Sequence, residues 1–532
     1  MESPVSRSVL RLAGAGLVAV ALVALVAPRP ANIHYRWPVV LPTVAVLLGL
    51  AALVRVPAAL KNRWLPVVVA VVGGAVATAL GQVLRYDYGW DARVVMNIAR
   101  ALHAGRPLTP DVYDYLSLYP NNIPLLAIDR LGADVGGWLG VAPDAVLITL
   151  TGVCVAVTLY AAHLVVVPVA GRGPALLTQL AVLALVGASP WLSVPYTDLY
   201  AMPFVIGGIA LVLAALRRPG VASKAALGAA GVVCVGIAFA IKTTPAVVAA
   251  ALALVALLGL VSTGDAGAGR RVRRVVPVIA AVIAGAALFA AVGLAVPAAA
   301  SVVSGIDSGR IRPDASPPVT WWVASGLSEQ TVPGGVTSYG TYRRDMVEAI
   351  EGRTPSEMTD YARRYIADRL AERGPAGTIA FYANKAAWNW GDGMFWAWGE
   401  GPDSLPGAVR VTGPVAGAVE SVNGFDGEHY QLRADLTQGL WLTVLLVAGL
   451  GLLRARPRVE ILTLALTVLG IAAFTLVFQG RSRYLFTFVP VVVALAACVH
   501  SALPWRRRPG GRRRSPSTAS APSAPLTEGV PS

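Results

Sequence analysis

Apolar residues gather into continuous runs from one end of the chain to the other. They fall at about 9–27, 38–54, 64–84, 144–169, 175–190, 199–216, 225–241, 245–262, 275–297, 436–453, 459–478 and 484–503. A run of about 20 apolar residues crosses the hydrocarbon core of a bilayer as a helix. Continuous rather than alternating apolarity predicts helices and not barrel strands. The fold class expected is all-α integral membrane, with about twelve transmembrane helices.

Two segments, 85–143 and 298–435, are too long and too polar to be simple connectors. Each carries a helical period of its own. In the first, Val94, Val95, Ile98, Ala99 and Leu102 recur on one face. In the second, Met358, Tyr361, Ala362, Tyr365, Ile366 and Leu370 do the same, and Thr354 with Glu357 forms a capping-box signature at the start. Helices of this kind are expected to lie on the membrane or fold over it. The chain thus divides into two extra N-terminal spans (1–63), a transmembrane core (64–297) with the first loop at 85–143, a large loop (298–435), C-terminal spans (436–503) and a tail (504–532). The tail is rich in Arg, Pro, Ser and Ala and is expected to be a disordered basic cytoplasmic extension.

Composition supports this picture: 56% of the 532 residues are hydrophobic and only 14% charged, too few charges for a soluble surface of this size. The formal charge of +15 would suggest nucleic acid in a soluble protein, but here it reads as topology. With the N-terminus inside, the cytoplasmic connections hold 22 of the 44 basic residues against only Glu2, Asp265, Glu460 and Glu528. The expected location is the cell (plasma) membrane, multi-pass, with both termini cytoplasmic and the two large loops extracytoplasmic. Arg29 with Arg36, and Arg481 with Arg483, run against the trend. The first span is alternatively a secretory signal, although Pro28 after Ala27 is a poor cleavage context. Cys154, Cys234 and Cys498 all lie in apolar runs, with neither disulfide nor zinc spacing.

Chemistry is therefore sought where polar residues meet span ends. The first loop opens YDYGWDARVV (86–95), putting Asp87 and Asp91 at the end of the third run. A carboxylate there can accept a proton from an attacking hydroxyl; it can equally be a solvated partner of Arg85 or Arg93. YDYLSLYPNN (113–122) offers Tyr115, Tyr119, Asn121 and Asn122 as a polyol-binding surface, or as ordinary turn chemistry. Asp198 in SVPYTDLY and Lys242 in AIKTTP each stand alone at a span end. A charge costs about 2.5–3.5 kcal/mol at the bilayer centre and less at its edge. Lys242 either snorkels or faces a phosphate as a point charge. QGRSRYLF (479–486) sets Arg481 and Arg483 beside Tyr484, two forks that match phosphate oxygens or anchor to headgroups.

These landmarks, in this order, resemble the GT-C superfamily of polyprenyl-phosphate-sugar-dependent glycosyltransferases. The nearest likeness is to bacterial relatives of the dolichyl-phosphate-mannose mannosyltransferases, over residues 64–500. Asp91 in WDARVVMNIA is similar to that family's loop aspartate, and YDYLSLYPNN to its Tyr-Pro-Asn-Asn signature. VPYTD, the AIKTTP lysine, WWVASGL (321–327), FYANKAAWNWGDGMFW (381–396) and GRSRY resemble later landmarks. Two spans precede the family's usual first one, and Asp87 competes with Asp91 for the acidic role. The resemblance implies an inverting transfer from a polyprenyl-phosphate sugar to an acceptor hydroxyl on a glycan, lipid or protein of the cell envelope. Asp91, or Asp87, would be the general base. Arg481, Arg483, Tyr484 and Lys242 would hold the donor phosphate. Tyr115, Tyr119, Asn121, Asn122, Asp198, Lys385, Trp388 and Trp390 would meet substrate, with Trp388, Trp390 and Trp396 equally suited to anchoring at the membrane surface. The resemblance fixes no cofactor and leaves a divalent cation open: there is no His cluster, and Asp87 with Asp91 is too thin a case for a cation site. Membrane lipids are expected partners; nucleic acid is not.

A transporter or lipid flippase is the rival class, and a catalytically silent scaffold of the same fold a third. Transport sites usually sit mid-membrane, whereas these charges sit at span ends.

Overall fold

A computed structural model describes residues 3–27, 33–53, 62–86, 88–261, 268–331, 336–399 and 412–503. Asp87, Arg29, and the expected disordered tail at 504–532 lie outside the described residues. The chain folds as helices α1 (Pro4–Val26), α2 (Trp37–Leu53), α3 (Leu65–Val83), α4 (Trp90–His103), α5 (Pro110–Leu118), α6 (Ile123–Leu139) and α7 (Pro143–Ala170). Then come α8 (Arg172–Val182), α9 (Thr197–Leu216), α10 (Val221–Ile241), α11 (Ala246–Val261), α12 (Ala268–Ser304), α13 (Val319–Gly326), α14 (Arg344–Glu348) and α15 (Pro355–Trp390). The last are α16 (Pro414–Asn423), α17 (Tyr430–Leu452), α18 (Val459–Val477), α19 (Arg483–Phe486) and α20 (Val489–Val499). A two-stranded antiparallel ribbon, β1 (Glu329–Thr331) with β2 (Thr337–Tyr339), is the sheet among the described residues.

Eight helices are long and apolar enough to cross a membrane: α1, α3, α7, α9, α10, α12 from Val275, α17 and α18. Four shorter apolar helices fall where the remaining runs were predicted, at Trp37–Leu53, Arg172–Gly187, Ala246–Leu260 and Val489–Ala502. Two of these are shorter for visible reasons. The run after Arg172 leaves α8 through a π-turn at Leu183–Gly187, and the last run is broken between α19 and α20, with Pro490 opening the second piece. Where α3 crosses α7, Gly74 meets Gly152, and where α9 crosses α10, Gly208 meets Gly231. A Cβ at any of the four would lie within 2.9 Å of a facing atom, so the helices touch backbone to backbone.

The amphipathic helices form where the periodicity places them, but their faces are spent differently. α4 buries Ala92, Val95, Met96, Ile98 and Ala99 against α6, and Val94 falls outside that stripe. The capping box at Thr354 and Glu357 is complete. Behind it, Met358 and Ala362 of α15 pack with Trp321, Met346 and Ile350 into a small core belonging to the large loop. Protein thus covers the buried residues of both stripes, while Val94 and Leu370 stay exposed. α15 bends at Gly374, whose φ of 60° is followed by Pro375, and its second half runs down to the bundle, ending at Trp390.

Candidate functional site

The polar landmarks converge at the end of the bundle that carries both large loops. Asp91 occupies the first turn of α4, where a carboxylate complements the helix dipole. Its Oδ1 accepts from the Tyr115 hydroxyl at 2.8 Å and its Oδ2 from the Tyr196 hydroxyl at 3.1 Å. Asn122 Nδ2 in turn donates to the Tyr115 oxygen at 2.7 Å. Pro120 starts the 3-10 turn that turns Asn122 inward, while Asn121 is exposed. Tyr119 leans on Tyr115 with ring centres 5.4 Å apart. Burial, and then the Asp91 charge, raise the Tyr115 phenol well above its ordinary value, so it remains a hydrogen-bond donor.

Asp198, 1% exposed, lies in the first turn of α9. Lys242 Nζ, just past the end of α10, is 2.8 Å from its Oδ1, and Arg483 Nε is 3.7 Å from its Oδ2. Aromatic rings surround the two cations. The Arg483 guanidinium carbon is 5.0 Å from the Tyr196 ring centre and 5.6 Å from that of Tyr484, and Lys242 Nζ is 4.9 Å from Tyr484. Tyr196 is thus the joint of the site: its hydroxyl holds Asp91 and its face carries Arg483.

Asp392 explains how Arg481 and Arg483 are aimed. Its Oδ1 accepts from the Tyr35 hydroxyl at 2.5 Å and the Met394 N–H at 3.0 Å; its Oδ2 accepts from Ser482 Oγ at 2.6 Å and the Trp396 N–H at 2.8 Å. Ser482, between the two arginines, is so tied to the GDGMFW turn, and Arg481 lies 4.7 Å over the Trp396 ring. Phe395, Trp396 and Trp398 in this turn all have positive φ, a strained backbone that the Asp392 bonds hold in place.

The remaining expected substrate residues sit inside the packing instead. Lys385 is 0% exposed and donates to the carbonyls of Gly326 at 2.6 Å and of Leu476 and Phe478 at 2.8 Å. It fastens the large loop to the end of α18. Burial, then the Arg373 charge, bring its ammonium down to about 7. Trp388 packs between Tyr339 and Trp396, and Trp390 stacks on Trp441, whose indole N–H donates to the Trp390 carbonyl at 2.8 Å. Sequence reasoning passed over Asp392 and Tyr196, although both stand inside quoted segments. Nothing local marks either as a joint between distant parts of the chain.

A cleft of about 1250 Å³ with mostly apolar walls runs between α6, α7, α9, α10 and α12; its lining includes none of Asp91, Asp198, Lys242 or Arg483. Tyr200, Phe204, Ile237 and Ile241 line it, so it reaches the backbone that carries Asp198 and Lys242. Its other end is lined by Arg63, Arg172, Arg217 and Arg218. Among the described residues no group of three or more His, Cys, Asp or Glu could hold a metal ion.

No curated protein and no solved structure matches the chain. A family model described as conserved hypothetical integral membrane protein matches residues 37–503, from the first residue of α2 to beyond the end of α20. With its long apolar helices, the chain belongs to this family of conserved hypothetical integral membrane proteins and is a multi-pass membrane protein.

Proposed function

We propose that the chain is a membrane glycosyltransferase of the GT-C kind, which moves a sugar from a polyprenyl-phosphate donor to an acceptor hydroxyl with inversion. On this reading the loop-bearing end is extracytoplasmic, about twelve segments cross the plasma membrane, and both termini are cytoplasmic. The observation that carries it is the shared tyrosine: Tyr196 joins a carboxylate, Asp91, to a cationic cluster at the ends of α9 and α10, two helices whose residues Tyr200 and Ile241 line an apolar cleft. That is the arrangement a lipid-borne phosphate needs, with an apolar wall for the chain and positive charge for the headgroup.

In the proposed step the acceptor oxygen attacks the sugar's anomeric carbon and the carbon–oxygen bond to the lipid phosphate breaks. The acceptor proton passes to Asp91, and the bond electrons leave on the phosphate, whose growing negative charge Lys242 and Arg483 stabilise. Asp198 holds both cations in register, and Asp392 holds the backbone that presents Arg483. Two phenol donors fix the orientation of the Asp91 carboxylate towards the reacting hydroxyl.

The cleft, with arginines at its far end, is the observation that favours a second reading, movement of an anionic lipid between leaflets. Purified protein in vesicles, supplied with polyprenyl-phosphate sugars, distinguishes the two by release of polyprenyl phosphate. Turnover that falls about 10²-fold or more in Asp91→Asn supports transfer. Lipid movement without bond cleavage, or turnover indifferent to Asp91, refutes it.

A further inference from the structure

Trp90, immediately before Asp91, has a φ of 58°, the left-handed region that a bulky residue normally avoids. Burial does not explain the strain, because the residue is 52% exposed while Tyr88 and Ala92 on either side are buried. Its indole meets the Tyr342 ring edge-to-face, with centres 6.0 Å apart. Tyr342 arrives from the large loop on an anchored turn. Thr341 Oγ1 bonds Ser338 Oγ at 3.1 Å, Ser328 Oγ donates to the Thr341 carbonyl at 3.1 Å, and Gly340 supplies a φ of 67°. Burial, then the neighbouring Tyr342 and lastly Asp91, raise the Tyr119 phenol, while burial and then Asp91 raise that of Tyr342, so both stay protonated donors.

We propose that Trp90 and Tyr342 form an aromatic lip over Asp91 that docks a saccharide ring, so that the acceptor is a glycan rather than a peptide or a lipid alcohol. This rests on the glycosyltransferase reading and names its acceptor class. A sugar ring has C–H faces that lie against aromatic rings and a rim of hydroxyls that meets phenols and a carboxylate, and this lip offers both within one site. A peptide acceptor calls for backbone donors and acceptors, and a lipid alcohol for a second apolar channel at the lip. A tryptophan serving only as a membrane anchor gains nothing from a strained backbone or from a partner ring supplied by another loop.

The test uses the full chain in detergent, applied to an array of synthetic mono- to tetrasaccharides of mannose, arabinofuranose, galactose and glucose. Serine- and threonine-containing peptides and phosphatidylglycerol vesicles are tested in parallel. Trp90→Gly relieves the backbone while deleting the ring, so its melting temperature is expected to equal or exceed that of the starting protein. Its binding to at least one oligosaccharide should fall by about tenfold, the effect of losing one aromatic contact. Tyr342→Ala should match it, and Trp90→Phe should bind. Hydrolysis of the donor by water is followed in the starting protein. Retention of peptides instead of sugars, no retained saccharide, equal binding by Trp90→Gly, or an effect on vesicles alone overturns the proposal. Absent donor hydrolysis in the starting protein would instead defeat the underlying glycosyltransferase reading, whereas hydrolysis without saccharide binding defeats only the lip.

Discussion

Replacing Asp392 by asparagine isolates the device that aims the two arginines. The carboxylate accepts four hydrogen bonds, two on each oxygen, and each oxygen serves one hydroxyl and one backbone N–H. In the carboxamide one oxygen becomes an NH2 donor. The hydroxyl facing it, Tyr35 or Ser482, can rotate and accept, but the N–H of Met394 or Trp396 cannot. With the NH2 turned to Trp396, that N–H is left facing a donor; turned the other way, the Met394 N–H loses the carboxylate but keeps a longer contact, 3.3 Å, to the Tyr35 oxygen. A bond to a charged group contributes about 1.5–3 kcal/mol, and stranding a buried donor costs about 1–3 kcal/mol. With one hydroxyl bond recovered and the Tyr35 oxygen still facing Met394, Asp392→Asn should cost ~1–3 kcal/mol. Denaturant titration of the purified protein reads this directly. Asp392→Asn combined with Ser482→Ala should be less destabilised than the sum of the two single variants, because they share a bond. A loss below about 0.5 kcal/mol, the range of an ordinary surface change, would show that the Asp392 carboxylate does not hold these four donors.

Three further outcomes follow from the same geometry. Asp198→Asn leaves Lys242 and Arg483 buried without that carboxylate and should destabilise the protein by about 3–5 kcal/mol in thermal melts; an unchanged melt would show that Asp198 does not hold them. Lys385 is lowered from 10.5 to about 7, so between those values the unfolded chain binds a proton that the folded chain lacks. Its stabilising contribution is full above about pH 10.5 and is lost as pH falls through about 7, and Lys385→Met should remove that pH dependence from the melts. Gly340→Ala should lower the melting temperature, since φ is 67° and a Cβ there would stand 2.6 Å from the Gly326 carbonyl and from Lys385 Nζ; an unaltered melt would contradict that close approach.

Much of the architecture was legible in the hydrophobic pattern, because spans and amphipathic stripes are local periodic features. The stripe at Met358 and Ala362 and the Thr354–Glu357 cap appear where periodicity and capping chemistry place them. What covers those stripes was not legible, since a face that packs on Trp321 and Met346 has the same period as one that rests on lipid. Within the site, Asp91, Asp198, Lys242 and Arg483 stood out as charges at span ends, Tyr115 and Asn122 as part of a polar cluster in the first loop, and the fold gathers them. Lys385, Trp388 and Trp390 stood out equally but are interior fasteners, because residue type alone does not tell a lysine facing ligand from one facing three carbonyls. The joints, Tyr196 and Asp392, depend on partners far away in the chain. The strain at Trp90 is hidden because no glycine marks the left-handed turn.

The proposed transfer requires Lys242 and Arg483 to hold one lipid phosphate beside Asp91. The most direct measurement of this is the affinity of the purified protein for polyprenyl phosphate, compared among Lys242→Gln, Arg483→Gln and Asp91→Asn. Each cation variant should weaken binding by about tenfold or more, the loss of one charge-assisted contact. Asp91→Asn should bind as well as the starting protein or better, a negative charge having been removed nearby. Equal affinity across all the proteins, or loss in Asp91→Asn alone, would contradict it.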